Sequence, residues 1–390
     1  MASWTPIWGQ AHAALSYFSF PEKPQTFRLI LSSAISGTHI RVRLSNFCGK
    51  DSVCIGGISA AVCDADGNLL SDSVDLTGAF RLQRKTRFIS PAVSFPVQPG
   101  AFLCVSVYVK AGRLTCGNLM NNAGLCVLPG DRRHAIFADH AKRTNDRLRR
   151  VASGLLRMPF HQPIPLFDAV EVLNADGAKA IVVFGDSLSQ QGFWVNPFEA
   201  RVRAAFPGRF SVVNKSIMGN RVLQDCSPIF PARDLYGGKG LTRLADDVLA
   251  YDNIGFVILE LGINDLIQYA TINGLPKEKP TAAALVDGIF TLAWQMQSAG
   301  IRVIGTTPIG FGDCIDATPE KLALLEDVLA MLRLRQNEFD GFFDMAAVTS
   351  DPDRPLHTRR TYLGGDKLHF NAAGGKAVAD NFDLSMLNIE

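Results

Sequence analysis

Two short segments, far apart in the chain, carry the residue types that nucleophilic catalysis requires. Ser187 stands in GDSLS (185–189), directly after the apolar run 180–184. A serine just past a buried strand, after a glycine that permits a sharp turn, is where an exposed nucleophile belongs. The same residues would also suit a helix start, because Asp and Ser side chains accept hydrogen bonds from free backbone amides. Ser189 is the rival nucleophile and ranks lower, since it lies two residues further from the strand.

The second segment, GDKLHFN (365–371), supplies a base. Asp366 and His369 are three residues apart, so their side chains fall on one side of a turn or incipient helix. The carboxylate can then hold one ring nitrogen while the other accepts the serine proton. Asp366 or Asn371 could instead only cap the final helix. Ser187 favours the catalytic interpretation, because both segments follow predicted strands at the same edge.

Acyl transfer also needs hydrogen-bond donors for an oxyanion. The segment SIMGNR (216–221) follows the second predicted strand, and GIND (262–265) follows the third. The backbone amide of Gly219 and the side-chain amide of Asn264 could converge on one oxygen. Taken singly, these are ordinary loops, in which Gly and Asn commonly form turns.

The elements that must position these segments alternate between strand and helix over residues 175–390. Apolar runs predict strands at 180–184, 210–214, 256–261, 301–306 and 342–346. Helical patterns lie between them, at 197–206, 241–251, 282–299, 319–337 and from about 372. This alternation predicts a parallel sheet in an α/β/α sandwich, with the active site beyond the carboxyl ends of the strands.

Residues 1–174 have a different pattern. Strand-like runs at 27–31, 39–45, 53–63 and 102–109 are separated by turn signals, and several alternate apolar with polar residues. Helical periodicity is scarce, which predicts an antiparallel β-sandwich. We therefore predict two domains, an accessory β-sandwich over 1–174 and a catalytic α/β domain over 175–390.

Composition excludes several classes of protein. The chain has 390 residues, 47% hydrophobic and 19% charged, with a net charge of +2, so it is neither disordered nor strongly attracted to nucleic acid. No apolar run approaches the roughly 20 residues of a membrane helix. The 8 cysteines include no CxxC pair and are expected to be free, buried thiols. With no visible signal peptide, a cytoplasmic location is expected. The basic segment 131–150 is interpreted as a solvated face or bridging loop.

Four segments resemble the signature blocks of the SGNH (GDSL) hydrolase superfamily: residues 185–188, Gly219, 262–265 and 366–369. They occur in the family's order over residues 180–371, about half of the chain. The resemblance implies a flavodoxin-like three-layer fold with Ser187 as nucleophile, His369 as general base and Asp366 orienting that base. It also implies an oxyanion hole formed by the amides of Ser187 and Gly219 and the side chain of Asn264.

A closer resemblance is to one subfamily with an N-terminal β-domain, described as arylesterases or acylhydrolases and linked to xylan breakdown. It is carried by RVRLSN (41–46), MGNRVL (218–223) and ELGIND (260–265). Phe370 departs from the subfamily, which usually has Pro after the histidine. The resemblance implies a serine esterase acting on a small-molecule or oligosaccharide ester, with acetyl groups on carbohydrate as the expected substrate.

Other functions have less support. The elbow GxSxG of α/β-hydrolases is missing, as are HExxH, CxxC, the P-loop and a strand-following GxGxxG, so neither a metal nor a cofactor is expected. A lipase or arylesterase on simple esters, a carbohydrate-binding protein with an inactive hydrolase domain, and an acyltransferase stay open as alternatives. No oligomeric state is predicted. Trp194 and Tyr236 could line the acyl or leaving-group pocket, or only pack.

Overall fold

The computed structural model describes residues 2–15, 20, 22–138, 162–225, 233–271 and 273–388. The chain divides into two compact units, one made of residues 1–180 and 205–213, the other of residues 181–204 and 214–390. The domain boundary between residues 174 and 175 stays a prediction.

The first unit is built from short and medium β-strands. In chain order they are β1 (Ser3–Gly9), β2 (Ala13–Ala14), β3 (Gln25–Ser32), β4 (Gly37–Ser45), β5 (Val53–Val62), β6 (Val74–Thr77), β7 (Phe80–Leu82), β8 (Arg87–Ile89), β9 (Val93–Val97), β10 (Phe102–Ala111), β11 (Cys116–Met120), β12 (Gly124–Pro129), β13 (Gln162–Pro165) and β14 (Phe167–Asn174). One sheet has the order β1-β14-β4-β8 with β9 also on β4, and a second has the order β12-β3-β10-β5-β6 with β7 on β5. A third, small sheet has the order β13-β11-β2. All strand pairs recorded in these sheets are antiparallel, as predicted.

The core of this unit follows from alternation along its strands. Successive side chains of a strand point to opposite faces, so every second residue is buried against the same core. The inward residues of two strands belong to one apolar cluster: Phe27, Leu29 and Leu31 of β3, with Ile40, Val42 and Leu44 of β4. On the other face of β4, Arg41 and Arg43 both pair with Glu171 of β14. The expected antiparallel β-sandwich is confirmed.

A five-stranded sheet carries the segments singled out for chemistry. Its strands are β15 (Lys179–Gly185), β16 (Phe210–Asn214), β17 (Ile254–Glu260), β18 (Arg302–Thr306) and β19 (Gly341–Phe343). The order β16-β15-β17-β18-β19 is the flavodoxin-like order 2-1-3-4-5, and β17, β18 and β19 pair in parallel. Every residue of β17 is buried, as expected for a strand covered on both faces of the sheet. The α/β fold is therefore confirmed.

Helices connect these strands. They are Ser187–Gln190, Val195–Ala205, Gly240–Leu244, Ile263–Ile267, Ala282–Ser298, Pro319–Leu334, Met345–Thr349 and Ala372–Asn381, with a π-helical turn at Ala245–Leu249 and 3₁₀ turns at Arg233–Tyr236, Pro276–Glu278, Gln336–Glu338, Arg360–Tyr362 and Leu384–Leu387. The segments at 186–189, 216–221 and 262–265 follow β15, β16 and β17, so they meet at one edge of the sheet.

Two predicted elements differ from the structure. The strand expected over 342–346 is Gly341–Phe343, because the Asp344 side chain accepts a hydrogen bond from the Ala347 amide and starts a helix there. The helix expected over 241–251 is α-helical to Leu244 and then π-helical. The small antiparallel hairpin of β20 (Ser350–Asp351) and β21 (Arg354–Thr358) was not predicted from the sequence.

Three remaining expectations concern the chain as a whole. The seven cysteines in the described ranges are free and five of them are buried, as expected. Among the described residues, no helix is long and apolar enough to cross a membrane. In the basic segment, Arg133 is paired with Asp131 and Asp75, whereas residues 139–150 lie outside the described residues.

Candidate active site

The loop after β15 presents Ser187. A Cβ atom on Gly185 would lie 2.8 Å from both Glu260 Oε2 and Ser189 Oγ, so only glycine fits at this point of close approach. The Asp186 carboxylate accepts the Leu188 amide at 3.0 Å and caps the four-residue helix that Ser187 begins. Ser187 is 6% exposed. Sequence analysis offered a helix start and an exposed serine at this position. The structure has the helix start, whereas Ser187 is buried.

The segment near the carboxyl terminus brings His369 to this serine. His369 Nε2 lies 2.8 Å from Ser187 Oγ, and His369 Nδ1 lies 2.6 Å from Asp366 Oδ2. Since an ionised carboxylate can only accept, Nδ1 carries the proton and Nε2 is left as an acceptor for the serine hydroxyl. Burial acts to raise the pKa of Asp366, but hydrogen bonds from the His369 ring and from two backbone amides outweigh it, and that pKa is lowered.

The histidine loop is held without a proline after the histidine. Phe370 is 1% exposed, and a β-bridge joins it to Leu363. The Gly364 amide donates to the His369 carbonyl at 2.8 Å, and Asn371 caps the helix Ala372–Asn381 through the Ala373 and Gly374 amides. A buried aromatic anchor and backbone hydrogen bonds thus restrain this loop.

Gly219 lies in a tight turn. The Asn220 amide donates to the Ile217 carbonyl at 3.2 Å, and Gly219 has φ +68°. A side chain here would be strained, and its Cβ would lie 2.6 Å from the Tyr236 ring. The Ile217 amide donates to the Gly185 carbonyl at 3.1 Å, which ties the turn to the end of β15.

Asn264 is fixed at both ends of its side-chain amide. Its Nδ2 donates to Asp186 Oδ2 at 3.0 Å, and its Oδ1 accepts from Gln268 Nε2 at 2.9 Å. One N–H of Nδ2 remains after the bond to Asp186. The neighbouring Asp265 carboxylate accepts the amides of Val222 and Leu223 at 2.8 and 3.0 Å, and so holds the chain just after the Gly219 turn.

Buried carboxyl groups lie beside the segment that carries Ser187. Burial raises the pKa of Asp186 to about 7, against hydrogen bonds from Leu188 and Asn264 that act to lower it. Burial and the nearby charge of Asp186 raise the pKa of Glu260 well above its usual value. Burial also raises the pKa of Asp265 to about 6. The site therefore contains three acids whose ionisation burial disfavours, together with Asp366, whose ionised form its hydrogen bonds favour.

The rival nucleophile is engaged elsewhere. Ser189 Oγ donates to Glu260 Oε2 at 2.7 Å and accepts from Trp194 Nε1 at 3.2 Å, and the residue is fully buried. Trp194 is also fully buried and packs on Phe198 with ring centroids 5.8 Å apart. The structure thus brings Ser187, and not Ser189, to His369, and it makes Trp194 a packing residue.

Three functional neighbours were missed by sequence reasoning. Arg243 Nη2 donates to the Gly185 carbonyl at 2.9 Å while its Nε donates to Asn220 Oδ1 at 2.8 Å, which links the loops after β15 and β16. Gln268 lies four residues after Asn264, a spacing at which Gln and Asn side chains meet on a helix, and this signal could have found it. Glu260 is the last residue of an apolar strand, where a carboxyl group is conspicuous.

A charged cluster lies in the loops after β18 and in the β21 hairpin. Asp313 pairs with Arg354, His357 and Arg360 at 3.1, 3.2 and 3.0 Å, and hydrogen bonds from the arginines hold the pKa of Asp313 well below its usual range. Burial, together with the charges of Asp316 and Asp366, raises the pKa of the neighbouring Cys314 thiol. Within the described ranges, no group of three or more His, Cys, Asp or Glu side chains is arranged to hold a metal ion.

A model of the GDSL-like lipase/acylhydrolase family matches residues 183–377, half of the chain. The chain is similar to a variant of an acetyl xylan esterase from Geobacillus stearothermophilus, with 19% identity, 55% of this chain and 97% of that chain covered, and a TM-score of 0.40.

Two other solved structures are similar to this chain. A GDSL-like lipase from Bacteroides thetaiotaomicron has 13% identity, 55% and 90% coverage of this chain and that chain, and a TM-score of 0.39. A Bacillus subtilis protein has 18% identity, 92% and 77% coverage, and a TM-score of 0.38. No curated protein sequence matches the chain significantly.

Proposed function

Because the chain belongs to the GDSL-like lipase/acylhydrolase family and is a serine ester hydrolase, we propose that Ser187 is its nucleophile and His369 its general base, oriented by Asp366. One observation carries this assignment, the unbroken chain of hydrogen bonds from Asp366 Oδ2 through the His369 ring to Ser187 Oγ, at 2.6 and 2.8 Å. A nucleophile bonded to a base that a third group orients is the arrangement that activates a hydroxyl.

The reaction then has two halves. His369 Nε2 takes the proton of Ser187 as Oγ attacks the ester carbonyl carbon, and the imidazolium that forms is stabilised by the Asp366 carboxylate. The tetrahedral intermediate collapses, the alkoxide leaving group takes the proton from Nε2, and an acyl-enzyme remains. Water attacks the acyl carbon with His369 again acting as base, which releases the acid and restores the Ser187 hydroxyl.

We assign the oxyanion to the backbone amides of Ser187 and Gly219 and to the Asn264 side chain. The turn at Gly219 is tied to the end of β15, and Asn264 is tied to Asp186, the residue before the nucleophile. These bonds support the assignment, because donors that are fixed before the reaction need no reorganisation as the negative charge develops.

The acyl group that suits this site is short. Hydrolysis of long-chain lipids calls for an extended apolar surface at the mouth of the site. The described part of the second unit exposes four large apolar side chains, at Leu249, Trp294, Ile315 and Leu334. Of these, only Ile315 lies in a loop at the carboxyl edge of the sheet. We therefore propose acetyl or another short acyl group in preference to a long chain.

The leaving group that we propose is a carbohydrate hydroxyl. The cluster of Asp313, Arg354 and Arg360, in the loop after β18 and around β21, offers charged donors and acceptors that suit a hydroxyl-rich molecule, and Arg360 is largely exposed. The sequence resemblance to esterases linked to xylan breakdown favours the same substrate class.

A series of nitrophenyl esters from acetyl to long chain tests the nucleophile and the acyl preference together. We expect wild type to hydrolyse acetyl and butyryl esters fastest, and Ser187→Ala to reduce kcat by at least about ten-thousandfold. Ser189→Ala is the matched control, since the Ser189 hydroxyl is bonded to Glu260 and Trp194, and it should keep most of the activity. Substantial turnover by Ser187→Ala would refute the assignment, and a preference for long chains would point to a lipase.

Acetate release from acetylated xylooligosaccharides tests the leaving group. We expect a higher kcat/KM than on nitrophenyl acetate, because sugar contacts add to those made by the acetyl group. A lower kcat/KM would favour an esterase of simple esters. Analysis of the products with and without a sugar acceptor would reveal acyl transfer in place of hydrolysis.

A further inference from the structure

Gln268 connects Asn264, four residues before it, with Gly219, which lies 49 residues before it in sequence. It follows the helix Ile263–Ile267 and is 4% exposed. Its Nε2 donates to the backbone carbonyl of Gly219 and to Oδ1 of Asn264, both at 2.9 Å. One buried amide nitrogen therefore touches both of the loops to which the proposed function assigns oxyanion donors.

The number of hydrogens available fixes the orientation of these amides. A glutamine amide nitrogen carries two hydrogens, and both are used here. If the Asn264 amide were flipped, its NH₂ group would face the NH₂ group of Gln268, and its oxygen would face the carboxylate of Asp186. Gln268 and Asp186 together therefore allow only one orientation of the Asn264 amide. In that orientation, the second N–H of Asn264 Nδ2, the one not bonded to Asp186, points in a single direction.

The hydrogen bond from Gln268 to the Gly219 carbonyl restrains the second proposed oxyanion donor, the backbone amide of Gly219. Accepting from Gln268 restrains the Gly219 carbonyl, and the turn bond from the Asn220 amide to the Ile217 carbonyl restrains the same peptide group from its other edge. A glycine at positive φ has wide conformational freedom, so an external bond to its carbonyl removes motion that would misdirect its N–H.

We propose that Gln268 is a positioning residue that couples Gly219 and Asn264 into one oxyanion site. The proposal rests on the proposed function, since it gives Gln268 no contact with the substrate and lets it act only through the two donors. Its loss should weaken the binding of the transition state more than that of the ground state, so kcat falls while KM changes little.

The first test compares Gln268→Leu with Gln297→Leu. Gln297 is a matched control in the same unit, because its Nε2 also donates to two acceptors, Glu338 O and Asp340 Oδ2, away from the site. On nitrophenyl acetate we expect Gln268→Leu to lower kcat by roughly tenfold to a hundredfold with KM within about threefold, and Gln297→Leu to leave both unchanged. A kcat for Gln268→Leu within threefold of wild type would overturn the proposal.

The second test asks whether Gln268 acts through Asn264. A purely structural role would make the losses of Gln268→Leu and Asn264→Ala multiply in the double variant. Positioning predicts that Gln268→Leu lowers kcat by a smaller factor in the Asn264→Ala background than in wild type, since only the Gly219 amide is left for Gln268 to position. Multiplied losses would refute the coupling. If Ser187→Ala and Asn264→Ala themselves retained activity, the proposed function would fail instead.

A third variant covers the case in which Gln268→Leu fails to fold. Gln268→Glu keeps the shape of the side chain but turns a carboxylate toward two acceptors, and protonation of this carboxyl restores one donor. We expect its kcat relative to wild type to rise as the pH falls from 8 to 5. A ratio that does not change with pH would contradict the proposal, because a lost packing contact has no reason to respond to protons.

Discussion

Glu171 and Glu260 are both buried strand residues, and their surroundings are opposite. Glu171 in the β-sandwich accepts from Nε of both Arg41 and Arg43, at 2.6 and 2.7 Å. Glu260, next to the nucleophile loop, accepts from the Ser189 hydroxyl at 2.7 Å and from the Asp186 amide at 3.4 Å. The first charge is balanced by two cations, whereas the second is disfavoured by burial and by Asp186.

The same difference separates two other carboxyl groups of the sandwich from the two that hold the proposed oxyanion segments. In the first unit, hydrogen bonds lower the pKa of Asp64, and hydrogen bonds from Arg133 outweigh burial to lower that of Asp131. In the second unit, burial raises the pKa values of Asp186 and Asp265, which hold the proposed oxyanion segments. Charge in the sandwich thus contributes to structure, while the region around Ser187 retains acids at a cost in stability, as functional sites commonly do.

Removing the charge of Glu171 should have the largest effect on folding. Glu171→Gln leaves two largely buried guanidinium groups without their counter-ion, and breaking a buried pair in this way costs about 3 to 5 kcal/mol of unfolding free energy. Urea denaturation followed by circular dichroism measures the loss. The folded fraction should keep the wild-type kcat on nitrophenyl acetate. A loss of unfolding free energy below about 1 kcal/mol would mean that the ion pairs of Glu171 with Arg41 and Arg43 do not stabilise the pairing of β4 with β14.

Removing a polar group beside Ser187 should instead affect rate. Asn264→Ala deletes one proposed oxyanion donor, for which a loss of about a hundred- to a thousandfold in kcat is typical. The free energy of unfolding, measured by urea denaturation as for Glu171→Gln, should change by much less than the activation free energy that corresponds to the loss in kcat. Near-normal turnover on ester substrates would show that Asn264 does not have this role.

Most of the sheet and much of the site could be predicted from sequence, because both depend on local patterns. Runs such as 210–214 read as strands from composition alone, and Asp366 and His369 are close enough in sequence for spacing to pair them. Gln268 could not be connected with Gly219 in this way, since their contact depends on how two loops pack. The raised pKa of Glu260 depends on burial in three dimensions, which its residue type does not reveal.

Asp265 allows a pH test of the cost of a buried acid. Its pKa is about 6 in the folded chain and 3.8 in the reference state, so the folded form binds the extra proton. Stability from this group is therefore present at low pH and lost as the pH rises through this window. Between pH 4.5 and 7.5, the unfolding free energy of wild type minus that of Asp265→Asn should fall by about 2 kcal/mol.

Asp344 provides the control of opposite sign. Hydrogen bonds from Arg333 and from the Ala347 amide outweigh burial and lower its pKa, so its contribution is fully present above the unfolded pKa and is lost only in acid. The difference between wild type and Asp344→Asn should therefore be nearly constant from pH 4.5 to 7.5. A constant difference for Asp265→Asn as well would remove the evidence that Asp265 is a costly buried charge.

The smallest effect should come from Glu260→Gln, which makes the same exchange as Glu171→Gln at the other buried glutamate. Because burial and the charge of Asp186 raise the pKa of Glu260 and so favour its protonated form, glutamine has the same shape and the same lack of charge as that form. Its oxygen can still accept from Ser189, so the unfolding free energy at pH 7 should change by no more than about 1 kcal/mol. Glu260→Leu, which removes the acceptor, should cost more. If Glu260→Gln destabilised the chain as much as Glu171→Gln, Glu260 would be ionised in the folded protein, and the two buried glutamates would differ in their partners but not in their charge.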